Sequence, residues 1–236
     1  MLGYHNIDCM EGMKEFPDNY FELAIVDPPY GIGDFNPDKW TDKKTKKRIS
    51  KKYEYVTKES KWNNTTPNDD YFKQLKRISI NQIIWGANYY NCFSNKGGAI
   101  VWNKENPNPY LSSCEIASQT FFKKVDYYKL QWHGLGMHPK RSGIHPCEKP
   151  IKLYEWLLTN YAKQGDKILD THVGSGSSII AFEKHGFDYC GFEIDKDYYE
   201  ASTKRILKHR ELLKQGKIFD NYSNIKNSDA FTELDL

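Results

Sequence analysis

The chain has 236 residues, of which 39% are hydrophobic and 15% aromatic, and its net charge at pH 7 is +3. This composition excludes intrinsic disorder for most of the chain and suffices for one full-sized core. Because it contains neither a run of about 18 apolar residues nor a basic-then-apolar leader, we expect a cytoplasmic protein without a membrane span.

The five cysteines are widely spaced and include no Cys-x-x-Cys pair. That pattern argues against both a disulfide framework and a zinc ribbon. His138, His145 and Cys147 are close in sequence, but their spacing matches no zinc pattern, so we expect no metal site.

The first half of the chain predicts strands separated by one clear helix. A short strand over residues 4–8 precedes a helical turn from Met10. Successive apolar residues bounded by turn chemistry then predict a buried strand, Phe21–Val26, with Asp27 at its carboxyl end. After a helix that begins at Asn68, further strands are predicted at residues 82–85, 99–102, 114–120 and 125–132.

A basic segment, residues 34–67, lies between the second strand and this helix. It has no periodicity and carries ten Lys/Arg against three acids between Lys39 and Lys61. One interpretation is a solvated tether. The other is a clamp on a nucleic-acid backbone, because basic side chains release counterions from phosphates and the aromatic residues here can stack on bases.

The second half alternates helices and strands. A helix from Pro150 to Gly165 is followed by a strand over residues 167–169, a glycine turn, a helix to Lys184, a strand over residues 187–192 and a helix over residues 198–214. The alternation predicts an α/β fold in which a Rossmann-like, mainly parallel sheet has helices on both faces. We expect one domain, residues 1–215, with a recognition region at residues 103–144 and a disordered tail at residues 216–236.

Two constellations occur where predicted strands end, which is where open α/β sheets bind ligands. The first, Asp27-Pro28-Pro29-Tyr30, combines a carboxylate, two rigid imides and an aromatic ring. The second is the glycine turn Gly174-Ser175-Gly176 after Asp170, with Glu193 at the end of the next strand. Glycines let the backbone approach a ligand closely, and an acid in the position of Glu193 can bind two ribose hydroxyls.

The glycine turn is neither the dinucleotide fingerprint, because no third glycine follows, nor a P-loop, because no Gly-Lys-Ser/Thr occurs. Asp170 would repel a pyrophosphate and attract an amino group. A nucleoside that carries an amine and no phosphate is S-adenosylmethionine. The alternative is a glycine turn that serves packing alone.

Asp27-Pro28-Pro29-Tyr30 precedes the glycine turn in the chain. In that order the motifs resemble those of the permuted β-group of amino-methylating DNA methyltransferases. Asp27-Pro28-Pro29-Tyr30 resembles the family's catalytic motif, and residues 170–178 resemble its Asp-Pro-Phe-x-Gly-Ser-Gly cofactor loop. Residues 145–150 resemble its His-Pro-Thr-x-Lys-Pro segment, and residues 6–9 resemble the segment whose acid reads the cofactor's adenine. Two departures are that Thr171-His172 replaces Pro-Phe and Cys147 replaces Thr.

The resemblance implies S-adenosylmethionine as the cofactor and double-stranded DNA as the substrate. Asp27 and the Pro28 carbonyl would accept the N–H groups of an adenine amine, Pro29 would help to fix them, and Tyr30 would stack on the flipped base. The implied cofactor-binding residues are Asp8 for adenine, Glu193 for ribose, Asp170 and Lys149 for the methionine end, His145, and the loop residues Thr171, Gly174, Ser175, Gly176 and Ser177. His145 is equally interpreted as a loop residue that packs under the helix from Pro150.

The expected activity is therefore adenine-N6 methylation of a specific DNA sequence. Cytosine-N4 methylation in the same fold is an alternative, although that branch usually carries Ser at the position of Asp27. Methylation of RNA or of a protein amide, and nucleic-acid binding without catalysis, are further alternatives. The short recognition region suggests a homodimer as a partner, and a cognate restriction endonuclease is a second expected partner.

Overall fold

The computed structural model of the chain describes residues 1–33, 63–90, 92, 97–106, 112–132 and 142–215. Most of the basic segment, parts of the 103–144 region and the tail from residue 216 lie outside these ranges. The interpretations of those segments stay predictions.

The described residues form eight strands and five helices, with strands and helices alternating except for the four successive strands between α2 and α3. The strands are β1 (Gly3–His5), β2 (Phe21–Val26), β3 (Ser79–Trp85), β4 (Ala99–Asn103), β5 (Cys114–Gln119), β6 (Val125–Lys129), β7 (Lys167–Asp170) and β8 (Asp188–Phe192). The helices are α1 (Cys9–Lys14), α2 (Asp69–Ile78), α3 (Ile151–Tyr161), α4 (Ser177–Lys184) and α5 (Lys196–Lys214).

Within the described ranges, the strands form one sheet in the order β1-β8-β7-β2-β3-β5-β4-β6. β5 runs antiparallel to both of its neighbours, and the other pairings are parallel. The predicted mainly parallel sheet is therefore confirmed. β5 lies between β3 and β4 instead of at an edge, so the 103–144 region contributes to the central sheet as well as to its β6 edge.

The sheet is covered on both faces, which explains the continuous apolar run of β2. Leu23 and Ile25 pack into the core that α3 and α4 cover, whereas Ala24 and Val26 pack into the core that α1 and α2 cover. Alternate residues of a strand point to opposite faces, so a strand buried on both sides is apolar throughout.

Several element ends differ from the predictions for identifiable reasons. β1 ends at His5 because Asp8 caps α1, with its Oδ1 accepting a hydrogen bond from the backbone N–H of Met10 at 2.7 Å. β3 begins at Ser79, directly after α2 and without a turn. α5 begins at Lys196 because the side chain of Asp195 caps that helix.

Two further ends are shifted by a few residues. α3 ends at Tyr161, before the Gly165 that was predicted to end it, and β8 begins at Asp188. None of the helices in the described ranges combines the length and apolar composition needed to cross a membrane.

Candidate active site

Asp27 and Asp170 come to the same edge of the sheet because their strands are neighbours. β2 pairs with β7 in parallel, with Ala24 opposite Leu169. Asp170 is the last residue of β7, and Asp27 directly follows β2. The structure thus brings the two predicted motifs together, although they are remote in the chain.

Side chains from outside hold the Asp27-Pro28-Pro29-Tyr30 loop. The Tyr90 hydroxyl lies 2.6 Å from the Pro28 carbonyl oxygen and 2.8 Å from that of Pro29. The Asn63 carboxamide oxygen accepts a hydrogen bond from the backbone N–H of Tyr30 at 2.9 Å. Sequence reasoning assigned no role to Asn63 and left Tyr90 open between the pocket and the core.

The Tyr30 ring packs tightly against its surroundings. It stacks on Tyr89 with a centroid distance of 4.8 Å and an interplanar angle of 16°. On Gly86, whose φ is +76°, a Cβ atom would lie 2.3 Å from Cε1 of Tyr30. Glycine is therefore required here for the close approach as well as for the backbone conformation.

Lys149 lies on the catalytic side of the site. Its Nζ is paired with Oδ2 of Asp27, lies 3.1 Å from Oε2 of Glu115 and donates to the Tyr30 hydroxyl at 3.2 Å. The Tyr30 hydroxyl in turn donates to Oδ1 of Asp27 at 2.6 Å. These contacts place Lys149 at Asp27. The role at the cofactor carboxylate that the family resemblance implied stays a prediction.

Glu115, on β5, is a member of this cluster that sequence reasoning missed. Its Oε1 accepts a hydrogen bond from Lys104 Nζ at 3.0 Å, while its Oε2 faces Lys149. The only sequence signal was a carboxylate within a predicted strand. A strand pattern does not reveal which edge of the sheet such a residue reaches.

Burial and charge oppose each other in this cluster. Burial raises the pKa of Asp27 above its ordinary value, and Lys149 limits the rise. Burial also raises the pKa of Glu115, but Lys149 and Lys104 outweigh it and bring that pKa down to about 2. Burial lowers the pKa of Lys149, yet Asp27 and Glu115 raise it above its ordinary value overall. The lysine is therefore charged at neutral pH.

The cofactor side of the site begins at Asp170, which is 1% exposed. Its carboxylate accepts a hydrogen bond from the backbone N–H of His172 at 2.9 Å. Burial raises the pKa of Asp170 to about 7, and the nearby carboxylate of Asp27 adds to the rise. A buried carboxylate with a raised pKa is suited to bind a cation.

Glu193 and Asp8 lie on either side of a cleft next to Asp170. Oε2 of Glu193 accepts a hydrogen bond from the N–H of Gly174 at 2.8 Å, and Oε1 accepts one from the N–H of Asp195 at 2.9 Å. The cleft is lined by Asp8, Cys9, Thr171, His172, Glu193 and Ile194. The acids predicted to read ribose and adenine therefore border one opening.

Thr171 and His172 occupy the positions where the resembling family has Pro-Phe. The Thr171 hydroxyl lies 2.7 Å from the Tyr71 hydroxyl and 2.9 Å from Nδ1 of His172. Burial lowers the pKa of His172 to about 4, so the ring is neutral at physiological pH. A neutral, hydrogen-bonded imidazole thus stands where the phenyl ring is usual.

The glycine turn is held by α5. Gly176 has a φ of +82° and precedes α4, and a Cβ atom on it would lie 3.2 Å from Cβ of Ser202. Nη1 of Arg205 donates to the Ser175 carbonyl oxygen at 2.9 Å and to the Ser177 hydroxyl at 3.0 Å. The turn is therefore fixed before any ligand binds.

Arg205 and His145 connect the segment before α3 to this turn. Nη2 of Arg205 lies 3.2 Å from Oε1 of the buried Glu148. The His145 ring packs edge-on against Tyr198 of α5 at 4.7 Å, and its Cγ lies 3.4 Å from where a Cβ atom on Gly174 would be. His145 thus contacts the glycine turn and α5.

These features fit S-adenosylmethionine. Asp170 is a buried carboxylate suited to an ammonium group, and Glu193 and Asp8 offer acceptors for a ribose and an adenine amine. Gly174 and Gly176 have positive φ values, which favour glycine, so the turn carries no side chain at these two positions. No phosphate-binding lysine follows the turn in the sequence, in agreement with a ligand that lacks phosphate.

Comparison with known proteins decides the family. Residues 21–204 match the N6/N4 methyltransferase family, described as DNA methylase. The chain belongs to this family. The methylase thus uses S-adenosylmethionine as its cofactor, and the family predicted from the motifs is confirmed.

Relatives and solved structures agree with this assignment. The methylase is 24% identical over 243 residues to the type II methyltransferase M2.MboI of Moraxella bovis, covering 88% of each chain. It is 22% identical over 271 residues to M.BglII of Bacillus subtilis, covering 97% of this chain and 74% of the relative.

Two solved structures share its fold. The M1.HpyAVI–SAM complex matches with a TM-score of 0.52 and 17% identity, covering 87% of this chain and all 100% of the other. The cytosine-N4-specific PvuII methyltransferase matches with a TM-score of 0.52 and 14% identity, covering 91% and 93%. The Rossmann-like fold of the methylase is thus confirmed, but it does not identify the methylated base.

Proposed function

We propose that the methylase is adenine-specific and methylates the exocyclic N6 amine of a flipped adenine in a specific sequence of double-stranded DNA. The observation that carries this proposal is the environment of Asp27. Its carboxylate is paired with Lys149 and accepts a hydrogen bond from Tyr30 at the edge that also holds Asp170. A serine, usual in the cytosine-N4 branch, would form no such ion pair.

Asp27 and Pro28 would prepare the amine for attack. The nitrogen of adenine is a poor nucleophile because its lone pair is delocalised into the ring. By accepting one N–H, the Asp27 carboxylate draws the nitrogen toward tetrahedral geometry, and the Pro28 carbonyl, which keeps a lone pair beyond its bond from Tyr90, accepts the other. Asp27 also stabilises the positive charge that develops on nitrogen and then accepts the departing proton.

The cofactor residues would act on the other side of the same edge. When bound, S-adenosylmethionine supplies an electrophilic methyl group. Asp170 would hold the amine of the methionine end, Glu193 the ribose hydroxyls and Asp8 the adenine edge. The turn residues Thr171, Gly174, Ser175, Gly176 and Ser177 and the ring of His145 would shape the cleft around them.

DNA would be bound by segments that largely lie outside the described residues. The basic charge of residues 34–67 suits the phosphate backbone, and residues 103–144 would contribute base contacts beside the active site. We also propose a homodimer, because the recognition region is short, and a cognate restriction endonuclease, since type II methyltransferases are among the relatives.

The test is nucleoside analysis of unmethylated bacterial DNA after incubation with the protein and labelled cofactor. N6-methyladenine is expected, and Asp27→Ala should abolish transfer while binding of S-adenosylmethionine survives. N4-methylcytosine in the product would overturn the base assignment. Equal loss of transfer and cofactor binding in Asp27→Ala would overturn the role given to Asp27.

A further inference from the structure

The Lys149 ammonium group is shared between two carboxylates. It has three N–H donors, and three acceptors surround it: Oδ2 of Asp27, Oε2 of Glu115 and the Tyr30 hydroxyl. The side chain of Lys149 is 4% exposed, so bulk water does not compete for these donors. One N–H is thereby directed to Glu115 and away from the catalytic carboxylate.

Each carboxylate oxygen of Asp27 consequently keeps a lone pair that can accept a hydrogen bond from the target amine. Oδ1 accepts a hydrogen bond from the Tyr30 hydroxyl, and Oδ2 accepts one from Lys149. An ionised carboxylate offers about four lone-pair sites, so both oxygens retain acceptor capacity. Without Glu115, the ammonium group could turn a second N–H toward Asp27.

The charges of the cluster also balance. Two carboxylates, Asp27 and Glu115, alternate with two ammonium groups, Lys149 and Lys104. Buried ion pairs stabilise a fold weakly, because the desolvation penalty offsets the attraction. Lys149 is buried and the other three side chains are partly buried. Stability is therefore a poor explanation for this cluster of four charges, and their position around Asp27 points to the reaction.

We propose that Glu115 is a positioning residue for methyl transfer, which takes up part of the charge and hydrogen bonding of Lys149 and so keeps Asp27 an effective acceptor for the amine of the target base. Lys104 acts one step further out by neutralising Glu115. Nothing in the motifs assigns a role to either residue. This inference rests on the methyl transfer proposed above and extends it to the environment of its acceptor.

The charges determine the direction in which each substitution shifts the pKa of Asp27. The negative charge of Glu115 opposes ionisation of Asp27, so Glu115→Gln lowers the pKa of Asp27 and makes it a weaker acceptor. Removing the positive charge in Lys104→Gln leaves Glu115 less neutralised and raises that pKa. A residue that only supports the fold would not produce shifts of opposite sign.

Among the residues that the structure describes, the phenols around Asp27 do not interfere with this measurement. The pKa values of Tyr30, Tyr71, Tyr90 and Tyr154 are all raised by burial, so these phenols stay protonated over the working range. Asp170 does titrate, but its ionisation governs cofactor binding and does not limit the rate at saturating cofactor. The decrease of kcat toward low pH, its acid limb, therefore reports the protonation of Asp27.

The experiment measures transfer of labelled methyl groups to unmethylated bacterial DNA from about pH 5 to 9 at saturating S-adenosylmethionine. For Glu115→Gln we expect a lower plateau and an acid limb that moves to lower pH by roughly one unit. For Lys104→Gln we expect a smaller move to higher pH. The matched control is Glu22→Gln, which removes a carboxylate near the amino end of β2, at the opposite edge of the sheet, and should leave the limb in place.

Calorimetric binding of S-adenosylmethionine checks that each variant is folded. An acid limb that stays at the wild-type pH in a cofactor-binding Glu115→Gln protein would overturn the inference and leave the proposed function intact. If Glu115→Gln does not fold, Lys104→Gln is the deciding variant. An acid limb of kcat that stays in place or moves to lower pH in Lys104→Gln would then overturn the inference. Failure of the wild-type protein to methylate DNA would overturn the proposed function itself.

Discussion

Asp27 and Asp170 end neighbouring parallel strands, and the charge of one raises the pKa of the other. The two carboxylates remain distinct because their environments differ. Burial raises the pKa of both, but at Asp27 the paired Lys149 limits the rise, whereas the pKa of Asp170 is raised to about 7. One acid is thus suited to accept a proton from the substrate and the other to bind a cation.

The first prediction concerns the pH dependence of cofactor affinity. In its proposed role, Asp170 must be ionised to bind the amine of S-adenosylmethionine, and its pKa is about 7. The affinity should therefore increase by up to about tenfold per pH unit as pH rises toward 7. Calorimetry below pH 7, in two buffers of different ionisation enthalpy, should show proton release. An affinity that is constant between about pH 5 and 7 would contradict this role.

The second prediction concerns stability without the cofactor. Because the pKa of Asp170 is higher in the folded chain than in the unfolded chain, its contribution to the free energy of unfolding decreases as pH rises from about 4 to 7. Asp170→Asn should lack this dependence and be more stable than the wild type at about pH 8, by about 1–2 kcal/mol, while losing cofactor affinity. Urea unfolding measures both proteins. Asp166→Asn, in the turn before β7, is the control with a wild-type profile.

The third prediction uses two glycines of similar backbone conformation. Gly86 and Gly97 have φ values of +76° and +74°, but a Cβ atom would clash with Tyr30 only in the case of Gly86. The positive φ alone should cost each Gly→Ala variant about 1 kcal/mol of stability, and the clash with Tyr30 should add about 1–3 kcal/mol in Gly86→Ala. Methyl transfer should decrease strongly in Gly86→Ala and stay near wild type in Gly97→Ala. Equal activity in the two variants would show that the packing of Tyr30 does not matter for transfer.

The fourth prediction concerns the Tyr90 hydroxyl, which lies within hydrogen-bonding distance of the carbonyl groups of Pro28 and Pro29. Tyr90→Phe removes one buried hydrogen bond and loosens the catalytic loop, so kcat should decrease about five- to tenfold. Cofactor affinity should be unchanged. Tyr127→Phe on the exposed β6 strand is the control. An increase of kcat would mean that the hydroxyl competes with the substrate for the Pro28 carbonyl.

The positions of the two motifs could be predicted because they depend on local patterns. The apolar run of β2 and the glycine turn after Asp170 mark strand ends, and parallel strands bring such ends to one edge. Glu115 could not be predicted in this way. Its strand shows no regular alternation of buried and exposed residues, and the sequence does not reveal that β5 runs antiparallel. Only that direction brings Glu115 to the catalytic edge.

The reach of long side chains was a second limit on what could be predicted from the sequence. The family resemblance implied a role for Lys149 at the methionine end of the cofactor, and the sequence did not reveal its contacts with Asp27 and Glu115. A lysine side chain reaches several ångströms in any direction, so its partner is decided by the charges that fold around it. Asp8 shows a third limit, because the same acid could end a strand or cap a helix, and the structure has it capping α1.

Arg205 links parts of the site that otherwise have separate tasks. One guanidinium group contacts the glycine turn through Ser175 and Ser177, and the segment that carries Lys149 through Glu148. Through Arg205, α5 thus stabilises both the glycine turn on the cofactor side and the segment that carries Lys149 on the catalytic side. Substitutions that destabilise α5 should decrease cofactor binding and methyl transfer together. An inhibitor that destabilises α5 could inactivate the enzyme without binding in the cleft.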